Sequence, residues 1–165
     1  MPRLFLLAAA LLAGGAHAAP QTVDCGRLLD VKAGVWRERV SIVIDAGVIQ
    51  SVGPMQAGPG HIDLSGQSCL PGLIDMHVHI TGETAPQAEE LHQSLSYNPA
   101  DYAFQSVGLA ERTLKAGFTT VRDLGDENGV NVALARAIES GRIAGPRMFT
   151  SGRSIATLGG HADPT

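Results

Sequence analysis

The sequence predicts an α/β chain: a β-rich N-terminal part followed by parallel strand–helix–strand units. Three observations carry that expectation. Val40, Ile42 and Ile44 alternate with Ser41 and Asp45 around Val43, the two-residue period of a strand packed on one face. After Pro71-Gly72 the grammar changes to short apolar runs separated by segments of helical spacing. The 165 residues are 44% hydrophobic and 17% charged with a formal net charge of −4, which allows a real core. The same balance excludes a disordered tail, a collagen-like repeat and a strongly basic nucleic-acid binder.

Residues 1–18 read as a cleaved secretory signal. Arg3 supplies the positive start, Leu4 to Leu12 the apolar run, and Ala16-His17-Ala18 the small residues before a cut after Ala18. The run is well short of the ~20 residues a membrane span needs, and Gly15 stands where a lipid-bearing cysteine would be. The expectation is an exported chain, periplasmic or secreted, without a stable membrane anchor. Losing Arg3 and no acid takes the mature chain to −5.

Residues 19–70 read as short strands and tight turns. The alternating strand ends at Asp45-Ala46-Gly47, and Val48 to Val52 returns as a second strand. Gly53-Pro54 and Gly58-Pro59-Gly60 break the chain before a short strand at His61 to Leu64. Export permits Cys25 and Cys69 to pair, closing a long loop worth roughly 3–4 kcal/mol in the chain-entropy account. Two buried free thiols are the alternative. A metal site on these cysteines is disfavoured, since no CxxC spacing accompanies them.

From residue 71 onward, Leu73 to Ile80 is a continuous strand-like run, followed by a long polar loop from Thr81 to Tyr97. Asn98-Pro99 pairs a helix cap with proline at the first helical position, giving a helix over Tyr102 to Ala116 that Gly117 stops. Phe118 to Val121 is a second strand. Val130, Leu134 and Ala137/Ile138 mark a helix closed by Gly141, and Arg147 to Thr150 a third strand. Strands alternating with helices in this way imply parallel pairing.

The informative segment is Leu70-Pro71-Gly72-Leu73-Ile74-Asp75-Met76-His77-Val78-His79-Ile80. Residues two apart in a strand face the same side, so Asp75, His77 and His79 share one face and Met76, Val78 and Ile80 the other. Two imidazoles on one strand face can chelate a divalent ion, with Zn–N bonds near ~2.0–2.1 Å. Alone, a His-x-His also fits two exposed or hydrogen-bonded histidines.

The context extends the signal. The β-rich lead-in, the Pro-Gly turn and the histidine pair resemble the opening of the amidohydrolase superfamily. The likeness continues through Gly117-Phe118-Thr119-Thr120-Val121-Arg122-Asp123, Gly145-Pro146-Arg147 and Gly159-Gly160-His161-Ala162-Asp163. Together these look like its imidazolonepropionase-related, Xaa-Pro-dipeptidase-like branch, with a likeness running from Cys25 to Thr165.

The resemblance implies the first two to three βα units of a TIM-like (β/α)8 barrel, truncated within 71–165, after part of a small β-sandwich in 19–70. A whole barrel takes about 250 residues. It also implies a hydrolase of C–N amide bonds in dipeptides or related small molecules, using zinc or another divalent transition metal, with two ions in a full-length protein. His77 and His79 take the place of the first-strand ligands, and the metal activates a water for attack. Family members complete the site with a strand-4 lysine, two further histidines and a late aspartate that handles the proton. Those positions are absent here: the only lysines, Lys32 and Lys115, fall in the β lead-in and the first helix. Two ligands fall short of the three that catalytic zinc takes, so this chain is expected to be inactive alone and to contain no catalytic residue.

Two further readings stay open: a non-catalytic exported metal-binding remnant or partner-completed domain, and a cyclic-amide hydrolase or deaminase of the same superfamily. Asp123 is a candidate acceptor for a metal-bound histidine or a local partner of Arg122. His161 is a candidate for contact with substrate or with a metal ligand. Asp75 fits a structural hydrogen bond better than ligation. The expected partner is a small-molecule or dipeptide substrate, with no nucleic acid, and oligomeric state is left open.

Overall fold

The computed structural model describes residues 19–56, 58–126 and 128–160. The chain divides into two compact units at Pro71/Gly72. It is an α/β fold with one mixed and one parallel sheet.

The first unit is a four-stranded sheet of β1 (Gln21–Asp30), β2 (Val35–Asp45), β3 (Val48–Pro54) and β4 (Ile62–Cys69) in the order β3-β2-β1-β4. β2 is antiparallel to both β1 and β3, while β1 and β4 run parallel. β4 runs further than the His61–Leu64 stretch that apolar residues mark, because its second half (Ser65–Cys69) is polar and exposed except at Cys69 and follows β1 by backbone pairing. The β1–β4 register shifts between Cys25 and Arg27. There a Cβ on Gly26 would run into the Ser65 carbonyl oxygen, so only glycine lets the strands approach.

Cys25, fully buried, is bonded to Cys69 at a Cα–Cα distance of 6.0 Å. Beside it lies buried Asp24, which accepts hydrogen bonds from the Ser41 hydroxyl and, at 2.9 Å, from His61 Nδ1. Ser41 Oγ in turn accepts from the Gln56 amide at 2.9 Å, tying the loop after β3 to the same carboxylate. The Ser41 bond, against the opposing effect of burial, and then His61 hold the Asp24 carboxyl below the ordinary carboxylate range. Its contribution to stability is therefore complete above about pH 4 and lost as pH falls through the lower folded value. Acid unfolding followed at Trp36, the one tryptophan and a β2 residue, is expected to show a pH-dependent loss that Asp24→Asn flattens.

The second unit has a parallel sheet of β5 (Leu73–Val78), β6 (Phe118–Asp123) and β7 (Arg147–Thr150) in the order β5-β6-β7, with helices α1 (Gln87–Ser96), α2 (Pro99–Lys115) and α3 (Val130–Glu139). Asn98 caps α2 in a reciprocal capping box with Asp101, and Pro99 occupies the first helical position. Val121 on the central strand, Leu109 and Ala110 of α2, Leu134 of α3 and Ile80 form the core, with Val78, Phe118 and Met148 packed against it.

The segment from Thr81 to Tyr97, expected to be a loop, contains α1. This helix buries none of its residues, so no apolar stripe announces it; Leu91 and Leu95 both stay exposed. Its signals are local ones: Pro86 at the N-terminal boundary and Glu89 and Glu90 in the first turn.

Candidate functional site

The second unit stitches together the C-terminal ends of its three parallel strands, the end where α/β sites form. The Leu124 amide donates to the Val78 carbonyl at 3.1 Å, and the Ser151 amide to the Asp123 carbonyl at 3.2 Å. His77 is the penultimate residue of β5, and His79 immediately follows the strand. Both are exposed, and their ring centroids are 5.5 Å apart.

The strand does not keep a strict two-residue period here. Its pairing with β6 shifts between Asp75 and Val78, so three residues of β5 advance against two of β6. Asp75 Oδ1 accepts the His77 amide at 3.0 Å, giving that N–H a partner at the irregularity. Asp75 thus makes a structural hydrogen bond. On the opposite face Val78 and Ile80 enter the core, whereas Ile74 and Met76 remain 61% and 50% exposed on this edge strand.

His79 Nδ1 lies 3.0 Å from the Gly125 carbonyl oxygen. A carbonyl only accepts, so Nδ1 carries the proton, and in the neutral ring Nε2 keeps its lone pair. This is the arrangement that prepares a histidine for a metal, its second nitrogen oriented by an acceptor. Two imidazoles, one already held in the ligating tautomer, fit a borderline divalent ion such as zinc. Among the described residues no group of three or more His, Cys, Asp or Glu side chains comes together to hold an ion.

Asp123 is fully buried, and among the described residues it hydrogen-bonds no histidine. Its Oδ2 accepts the Ile80 amide at 2.8 Å; its Oδ1 accepts the Gly125 amide at 3.0 Å and Asn131 Nδ2 at 2.8 Å. Nor does it pair with Arg122, whose Nε donates to the Met76 carbonyl at 2.8 Å. The direct acceptor for His79 is Gly125, which the sequence did not single out. Gly125 sits at φ +141°, and a Cβ there would overlap Ser154, so the position demands glycine. The only local sign of it is an aspartate two residues before a glycine, a common turn pattern.

The other described histidines, His61 and His92, lie in other segments of the chain. His61 belongs to the first unit, on Asp24, and His92 lies on α1 with its Nδ1 3.3 Å from Ser96 Oγ. His161 and residues 1–18, where a secretory signal is expected, lie outside the described residues. No helix among the described residues is long and apolar enough to cross a membrane.

Residues 69–163 match the profile of the amidohydrolase family, more than half of the chain. The chain belongs to the amidohydrolase family. Its fold is similar to that of a solved Xaa-Pro dipeptidase with methionine bound in the active site: TM-score 0.81 and 39% identity, over 89% of this chain and 36% of the other. Ochratoxinase of Aspergillus niger is 31% identical over 94 residues, 57% of this chain and 19% of that enzyme. Dihydroorotase of Trichlorobacter lovleyi is 38% identical over 58 residues, 33% of this chain and 13% of that enzyme. The chain therefore spans about a third of the solved dipeptidase and a fifth or less of these two curated relatives.

Proposed function

We propose that this amidohydrolase-family chain is the N-terminal portion of an exported, metal-dependent hydrolase that cleaves C–N amide bonds of dipeptides or related small molecules. The observation that carries the reading is the histidine pair at the end of β5, with His79 fixed by Gly125 in the tautomer that frees Nε2. The parallel sheet β5-β6-β7 is read as the opening of a (β/α)8 barrel, and the four-stranded sheet as part of a β-sandwich. The Cys25–Cys69 disulfide supports an oxidising compartment.

In this reading His77 and His79 hold the ion, zinc or another divalent transition metal. A metal bound there supplies Lewis-acid polarisation of the scissile carbonyl and a lowered pKa for water. Gly125 keeps the His79 ring in place, and Asp75 holds the backbone at His77. With two ligands from this chain, hydrolysis requires further residues, and the 165 residues alone are inactive. A cyclic-amide substrate is the second reading, favoured by the dihydroorotase likeness, but that likeness covers 33% of the chain against 89% for the Xaa-Pro dipeptidase.

Zinc added to histidine-labelled protein is expected to shift the imidazole resonances of His77 and His79 and leave His92 in place. His77→Ala should weaken the response at least about tenfold. Unmoved His77 and His79 resonances at saturating zinc would overturn the reading.

A further inference from the structure

The metal-site reading leaves the buried side chain of Asn131 unexplained. Asn131, in the first turn of α3, is fully buried, and its Nδ2 donates to Asp123 Oδ1 at 2.8 Å and to the Gly152 carbonyl at 2.9 Å. Among the described residues its Oδ1 has no partner, so the side chain acts as a donor. Those two acceptors are the ones that hold His79 from both sides.

On the backbone side, Asp123 Oδ2 takes the amide of Ile80, the residue after His79. On the ring side, Asp123 Oδ1 takes the Gly125 amide, fixing the residue whose carbonyl accepts from His79 Nδ1. The peptide joining Gly125 to Asp126 is pinned at its other end as well, its N–H donating to the Gly152 carbonyl at 2.9 Å. A chain of bonds thus runs from Gly152 through that peptide to the His79 ring, and bonds in such a chain polarise one another. Among the described residues Asn131 is the one side chain that bonds both Asp123 and Gly152.

We propose that Asn131, acting through Asp123 and Gly152, is a positioning residue that selects the Nδ1-protonated tautomer and the ring orientation of His79. The proposal rests on the reading of His79 as a metal ligand, and it gives a role to a buried amide that uses only its donor end: its work is done on the ligand's geometry. An aspartate at 131 would match its size but lose the donor and face Asp123 with a like charge.

The test is nitrogen-15 spectroscopy of the imidazoles in the whole chain without metal. In the unsubstituted protein His79 is expected to show a protonated Nδ1 and an unprotonated Nε2; protonation at Nε2 overturns the proposal before any variant is made. In a folded Asn131→Ala protein, judged by amide dispersion, the His79 signals should move toward a mixture of tautomers while His77 stays unchanged. Zinc affinity should fall about 10–100-fold. A folded Asn131→Ala protein with His79 signals unchanged overturns it. If that variant does not fold, the unsubstituted protein decides: slow exchange of the Asn131 side-chain amide protons with coupling to the Asp123 carboxyl carbon supports the proposal, and fast exchange overturns it. The tautomer is read without metal, so failure of zinc to bind the wild-type protein counts against the hydrolase reading and leaves this result separate.

Discussion

Replacing Asp123 with alanine is expected to destabilise the second unit by about 3–5 kcal/mol, the largest effect of any single polar substitution in it. The carboxylate is fully buried and accepts three donors from three places: the Ile80 amide beyond β5, the Gly125 amide beyond β6 and the Asn131 side chain on α3. Removing it leaves those donors facing a cavity, each at a cost of about 1–3 kcal/mol where water does not reach. Asparagine is no rescue. Its one oxygen can serve Gly125 and Asn131, but its amide then meets the Ile80 N–H, donor against donor. The ordering Asp > Asn > Ala in urea midpoint, followed by the helical circular-dichroism signal, checks this. An Asp123→Ala protein within about 1 kcal/mol of wild type would show that the strand ends are held by something else.

Reducing the Cys25–Cys69 bond, or replacing both cysteines with serine, is expected to destabilise the first unit by about 3–4 kcal/mol. The bond joins residues 44 apart, and it ties β1 to the end of the parallel strand β4. Three of the four strands are linked by antiparallel pairing through short turns, but β4 is joined to β1 by a parallel ladder whose register shifts at Gly26. The disulfide closes that least local pairing. Trp36, stacked under the Arg27 guanidinium at 4.5 Å from its ring centroid, lies on the strand beside β1 and reports the transition by fluorescence. A midpoint unmoved by reduction would mean that the β1–β4 ladder holds without the bond.

The parts of the fold that were legible in the sequence are those where one physical signal acts alone. Val40 to Asp45 and Val48 to Val52 show alternation and a turn, and both lie in strands; Asn98-Pro99 shows a cap and a first-turn proline, and α2 starts there. Helix α1 was hidden because burial is what writes a periodic stripe, and α1 buries nothing. The site divides the same way. A His-x-His after an apolar strand start is visible as a pair of ligating residue types, and the structure places the two rings 5.5 Å apart. The acceptor of His79 is a backbone carbonyl, and Asn131 reaches Asp123 only because α3 returns to the sheet beside it. Neither a carbonyl nor a tertiary contact has a letter in the sequence.

The central claim, that these residues open the metal site of a longer C–N hydrolase, is tested most directly by reading the coding DNA past the codon for Thr165. The account predicts an open frame that supplies a lysine, two further histidines and a late aspartate at strand ends. A stop codon there would contradict it, leaving His77 and His79 as a metal-binding pair without a hydrolase to complete.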